Sequence, residues 1–296
     1  MQISIQNTIM QKGKPAQAIY CDKTFIAPCN AHVVDKLAES NCIIDYSDSL
    51  QISLDEFLEY KVGFDKSGAI LTPSYGRISR YGIINTVTSM PQFTITAKDA
   101  VECFGILQVI AGYDNRDSYS LLDSDFKVTQ SNTTPKVADF TQVLNADKHL
   151  QALFNAASDT HGILASAEYA ANTQRFDGIS FGHRAENAKT LKQVYVESRN
   201  ETFTQTAKQH ILLGNLVLAE KRALYDKALY VRGIAKQAMD TILQKNEVLT
   251  VTHPTQNHFA LAAIVGCPTL LVNNTLYITK HLNEDALYSC ITVACR

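Results

Sequence analysis

The apolar positions of this 296-residue chain change period repeatedly along its length, the pattern of alternating strands and helices in an α/β fold. Gln2-Ile-Ser-Ile-Gln6 alternates with period two and predicts a strand. Residues 31–38 predict an amphipathic helix with Val34, Leu37 and Ala38 on one face, and Cys42 to Asp45 a short buried strand. Ser53 is followed three residues later by Glu56, the spacing of a capping box, which predicts a helix start. A helix over 99–110 carries Val101, Phe104, Ile106 and Leu107 and stops at Gly112. Between Leu121 and Ala146 the periodicity fades, and the stretch from Ser131 to Pro135 reads as a loop. Helices follow over 147–174, 185–198 and 203–245; in the last, Ile211, Leu212, Leu216 and Val217 read as a core face. Strands at 248–251, 269–272 and 276–279, a helix before the second of them and a last helix from Asn283 complete the pattern. The expected organisation is one domain over 1–296, with 147–245 mainly helical.

Composition narrows the classes. With 46% apolar residues the chain can bury a sizeable core. Its net charge of −2, with lysines and arginines scattered, gives no electrostatic footprint for nucleic acid or an anionic membrane. The longest uncharged apolar run, Phe259 to Cys267, is about half a membrane span. No apolar leader is visible in the first ten residues. A cytoplasmic protein is the expectation, with a mitochondrial matrix protein as the alternative. The seven cysteines show no Cys-x-x-Cys and no Cys/His ligand spacing, so buried reduced thiols are expected. His253 and His258 flank Pro254 without a carboxylate or cysteine nearby, a weak basis for a metal site. No cofactor or metal is expected.

Tyr75-Gly-Arg-Ile-Ser-Arg-Tyr-Gly82 and Ala111-Gly-Tyr-Asp-Asn-Arg-Asp-Ser118 resemble the amidase signature family, in which a Tyr-Gly-Arg-Val-Ser-Arg-Tyr-Gly turn follows the nucleophile. Arg175-Phe-Asp-Gly-Ile-Ser-Phe-Gly-His-Arg184, preceded by Ala167-Glu168, is similar to a run typical of the A subunit of glutamyl-tRNA(Gln) amidotransferase within that family. Asp55-Glu-Phe57, the helix near Gln205 to Gly214 and Gly266-Cys-Pro-Thr269 add to the likeness. The resemblance implies an amidase-signature-like mixed central sheet flanked by helices, reduced relative to the family. It implies soluble subunit partners resembling the amidotransferase B and C subunits, with a homo-oligomer as the rival.

The resemblance also implies where catalytic groups would stand. The family relays a proton from a serine nucleophile through a second serine to a neutral lysine. Gln6 falls at the lysine position, and an amide is no general base near neutral pH. Gly63 to Leu71 matches the nucleophile run, with Ala69 in place of the serine, and the segment that carries the relay serine, expected between Phe57 and Val62, is absent. The expectation is a pseudoenzyme with no catalytic residues. Ser67, beside Lys66, is the alternative nucleophile, and would belong to an active amidase or glutamine amidotransferase with displaced groups. A third reading is small-molecule binding by the vacated pocket. Gln209 and His210 stand where the family has paired arginines for the amide donor. Arg77 and Arg80 are expected to pair with acidic neighbours, and Arg175, Asp177 and Arg184 to form a salt-bridge network around Gly178 and Gly182.

Overall fold

The computed structural model describes residues 2–44, 51–54, 56–57, 68–90, 93–122, 127–129 and 134–294. One mixed sheet of nine strands runs β4 (Ile43–Ile44), β1 (Gln2–Ile5), β5 (Gln51–Leu54), β7 (Phe93–Ala97), β6 (Ala69–Thr72), β10 (Thr269–Val272), β11 (Thr275–Thr279), β9 (Val248–Thr252), β8 (Val137–Asp139). β1 is parallel to both β4 and β5, β8 is parallel to β9, and the other neighbours are antiparallel. A separate two-stranded ribbon joins β2 (Pro15–Ala16) to β3 (Phe25–Ile26).

Helices cover both faces because the strands bury both. On one face Ile5, Ile52, Ile95, Leu71 and Leu270 form a cross-strand row in register. That row packs under α1 (His32–Glu39), α2 (Ala100–Ile110) and α10 (Glu284–Ala294). Asp99 caps α2 by accepting from the Glu102 N–H at 2.8 Å. On the other face, Ile70, Leu271, Leu276 and Leu249 meet α3 (Phe140–Ala146), α4 (Lys148–Asn155), α5 (Ala157–Asn172), α8 (Arg222–Lys245) and α9 (Gln256–Val265). α6 (Leu191–Thr202) and α7 (Gln205–Ala219) lie outside these. α7 approaches α5 so closely that a Cβ on Gly214 would stand 2.1 Å from the Ser166 carbonyl oxygen.

Several expectations are corrected. Ser53 begins no helix: it lies in β5, where Ile52 is clamped between Ile5 and Ile95, and Glu56 turns to other donors instead of capping. The run Gly63 to Leu71 falls partly outside the described residues, and its last three positions, Ala69, Ile70 and Leu71, lie in β6. β4 is an edge strand with Ile43 59% exposed, not a buried one. The first long helix breaks at Ala156 and ends in a 3-10 turn over Thr173–Arg175, and the last breaks at Glu220 and Lys221. α6 begins at Leu191, where Thr190 and Gln193 build a capping box, and not at residue 185. On α7 the core side is Ala207, Gly214 and Val217; Leu212 and Leu216 face outward. Small residues replace the large ones at this contact because the two helix backbones need the room.

Candidate functional site

Gln6 stands one residue beyond β1, its N–H donating to the Ile52 carbonyl at 3.1 Å. Its side-chain oxygen accepts from the Thr8 hydroxyl at 3.1 Å. Around it lies a cleft of about 230 Å³ bordered by Asn7, Gln17, Tyr20 and Cys21. Behind the cleft, Tyr20 stacks on His210 with centroids 5.6 Å apart, and Phe57 approaches the same imidazole at 4.2 Å. His210 Nδ1 lies 3.0 Å from the Ser166 hydroxyl. The paired-arginine position is thus filled by an aromatic stack. Cys21 is no nucleophile here, since burial pushes its thiol up to about 12.

Ala69 is not brought to this cleft. It sits fully buried in β6, opposite Ala97 and Val272, with its methyl on the α2 side of the sheet. The registers place it three strands and about three residue steps from Gln6, a separation of roughly 17 Å at standard strand spacings. Ser67 lies outside the described residues.

Pairing also creates a feature that the linear pattern hides. Ser53 stands opposite Thr94, Thr72 opposite Thr269, and Thr72 extends the Leu71–Ile95 pairing by one residue toward Thr94. These side chains share the α9 face, and the hydroxyls of Ser53, Thr72 and Thr94 are buried without a hydrogen-bond partner among the described residues. Three serine or threonine positions at the ends of strands were each visible in the sequence; only the registers align them.

Glu56 is the buried carboxyl of this region. Burial raises it to about 7, against hydrogen bonds from the Thr86 hydroxyl and the Val87 and Thr86 N–H groups. Glu168 accepts from the Thr88 N–H at 2.7 Å and the Ser89 N–H at 3.0 Å, so both glutamates organise one loop, 86–89.

The Tyr75–Gly82 turn is tied down by ions. Arg77 meets Glu284 at 3.2 Å with both side chains buried, and Glu284 also accepts from the Ser74 N–H at 2.9 Å. Burial pushes Glu284 up, but the Arg77 charge and the Ser74 bonds outweigh it and hold it below the usual carboxylate range. Arg80 pairs with Asp117 at 3.2 Å and donates to the Tyr75 hydroxyl at 2.6 Å. Both arginines therefore find acidic neighbours, as their sequence context predicts. Asp114 accepts from Ser79 at 2.7 Å and Arg116 at 2.9 Å; these bonds overcome burial and bring its carboxyl to about 2.

The expected network at Arg175, Asp177 and Arg184 does not form. Asp177 accepts from the Ile179 and Ser180 N–H groups at 2.8 Å, closing its own loop. Arg175 donates to the Asn85 carbonyl and lies over Phe181, while Arg184 is exposed. A short polar side chain in a glycine turn reaches its own backbone before it reaches a distant guanidinium. His258 caps α9 with Thr255 and packs on Phe154, whereas His253 bonds Asn274 at 2.7 Å, so the two do not share a site. Among the described residues no cluster of three His, Cys, Asp or Glu side chains suited to a metal is present, and no helix is long and apolar enough to cross a membrane.

The mixed sheet, its helical covers and the ion-tied turn define the class as an amidase-signature homologue. The fold matches an amidase family protein from Bacillus anthracis (TM-score 0.67, 14% identity, 98% of this chain and 76% of that one). It matches the glutamyl-tRNA(Gln) amidotransferase A subunit of Thermotoga maritima equally well (TM-score 0.67, 14% identity, 98% and 81%). In sequence the chain is similar to the glutamyl-tRNA(Gln) amidotransferase A subunit of Lachnospira eligens, 32% identical over 60% of this chain and 44% of the relative. That of Helicobacter pylori is 32% identical over 64% and 48%. The chain spans about half the length of the curated relatives it matches. No family model matches it.

Proposed function

We propose that this protein is a non-catalytic relative of the amidotransferase A subunit that works through contacts with other proteins. The observation that carries the reading is Gln6: its amide stands at the end of β1 where the resemblance places the general base, in a cleft with no carboxylate, lysine or histidine on its border among the described residues. Ala69, the position matched to the nucleophile in the sequence, lies inside the sheet away from this cleft, so the reading rests on Gln6 and not on Ala69. Proteins that lose one member of such a catalytic set lose several orders of magnitude in rate.

The outer helices favour a docking role. α7 exposes Leu212, Leu213 and Leu216, and α8 exposes Leu224 and Tyr230. The sequence relatives are named as subunits, so B- and C-subunit-like proteins are the first partners to try, with a homo-oligomer as the rival. Two assays test the reading together. Glutamine and asparagine hydrolysis should equal the buffer rate; turnover abolished by Ser67→Ala would overturn the inert site. Light scattering after size exclusion, alone and with amidotransferase B and C subunits, should reveal a complex; a monomer that binds neither would overturn the docking role.

A further inference from the structure

A second cavity, of about 480 Å³, opens between α8 and the Tyr75–Arg80 turn, away from the Gln6 cleft. Its size falls in the range of small-ligand sites. One wall is aromatic: the Tyr75 and Tyr119 rings meet edge to face at 5.8 Å, and the Arg80 guanidinium lies 4.4 Å from the Tyr119 centroid. Arg80 is neutralised by Asp117 and contributes shape more than charge.

The opposite wall is cationic. Arg232 and Lys236 stand one helical turn apart on α8, and both border the cavity. Arg232 donates from Nε to the Ile264 carbonyl at 2.8 Å, from Nη1 to the Ser89 hydroxyl at 2.8 Å and from Nη2 to the Ser89 carbonyl at 2.5 Å. All three acceptors are neutral, and the Ser89 hydroxyl that receives Nη1 itself donates to Glu168, so the guanidinium is held in place and reaches a carboxylate only through that hydroxyl; two of its five N–H groups are left over. Lys236 is exposed and makes no hydrogen bond or ion pair among the described residues. Of the nearby carboxylates, Glu284 is held by Arg77 and Ser74, Glu168 accepts from the Thr88 and Ser89 N–H groups and from the Ser89 hydroxyl that Arg232 contacts, and Asp240 stands one turn beyond Lys236 on α8. His281, on the cavity border, is lowered by burial and stays neutral near pH 7, able to donate or accept a hydrogen bond.

We propose that this cavity binds a small organic anion, its carboxylate or phosphate group held by Arg232 and Lys236 and its body resting on Tyr75 and Tyr119. A guanidinium fixed by neutral acceptors presents a forked donor to an oxyanion without reorganising, and an ammonium one turn away adds charge. The proposal does not depend on whether the Gln6 cleft is inert.

Isothermal titration with benzoate and with phenyl phosphate tests it and separates the two head groups. At least one should bind with a Kd at or below about 1 mM, more weakly as salt is added. Lys236→Gln should weaken binding about tenfold and Lys236→Glu should abolish it; both alter an exposed side chain, so the fold is kept. Arg232→Gln should also abolish binding, with thermal melting as the check that it folds. Binding of benzoate alone assigns a carboxylate ligand, and of phenyl phosphate alone a phosphorylated one. Failure of both probes to bind, or undiminished binding by Lys236→Glu, would overturn the proposal.

Discussion

Two polar regions of this molecule behave in opposite ways. The Tyr75–Gly82 turn is dense with compensated charge: Arg77 on Glu284, Arg80 on Asp117, and Asp114 on Ser79 and Arg116. The cleft at Gln6 is bordered by amides, hydroxyls and a suppressed thiol. The first holds the fold, since an uncompensated buried charge costs several kcal/mol and each ion fixes its partner. The second bears no comparable load, so its residues can change without the sheet noticing. The chain thus keeps an amidase-signature scaffold through its ion-tied turn, while the end of β1 carries an amide, Gln6, in a neutral cleft.

The comparison breaks most visibly at Arg77. Glu284→Gln, which leaves the guanidinium buried without its counter-charge, should cost about 3–5 kcal/mol, read from urea denaturation. Gln6→Ala removes a neutral side chain, including its part-buried bond from Thr8, and should cost about 1 kcal/mol. Equal losses in the two variants would erase the distinction between the regions.

Glu56 gives the next effect. Its folded value, raised to about 7 from 4.5 by burial, means the native state holds a proton that the unfolded chain has released. The wild-type protein therefore loses stability relative to Glu56→Gln as pH rises from 4.5 to 7, by up to about 3 kcal/mol. Asp114 has the opposite sign: its carboxyl, at about 2 instead of 3.8, contributes stability above pH 3.8 that is lost as pH falls through 2. A flat difference between wild type and Glu56→Gln across pH 4.5–7 would show that Glu56 ionises normally.

Smaller again is Gly214→Ala, whose methyl would press on the Ser166 carbonyl; a loss of about 1–3 kcal/mol is expected in thermal melts. The smallest change should follow Leu212→Ser on the outer face of the same helix, within about 0.5 kcal/mol, while it weakens any complex found by light scattering. A large stability loss at Leu212 would show that α7 docks within this chain and not on a partner.

Much of this was legible in the residues. The alternation in Gln2 to Gln6 and the apolar spacing over 99–110 located β1 and α2, because local backbone chemistry decides them. Arg77 and Arg80 announced ion pairs, since buried guanidinium groups need anions. The identity of Gln6 alone was enough to question a base at that position. Other features depended on distant neighbours. The Ser53 and Glu56 spacing suits a helix start, yet Ile52 found Ile5 on one side and Ile95 on the other, and strand pairing prevailed over a local cap. Only the registers set Ala69 far from Gln6 and aligned Ser53, Thr94 and Thr72 across three strands. The cationic wall needed α8 to lie against loop 86–89, which no spacing along the chain specifies. Caps, turns and periods are properties of a few adjacent residues, and the sequence determines them directly. Which faces meet, and which charges line a cavity, is decided by packing between segments distant in sequence, about forty residues apart for Ser53 and Thr94 and 143 for Arg232 and Ser89.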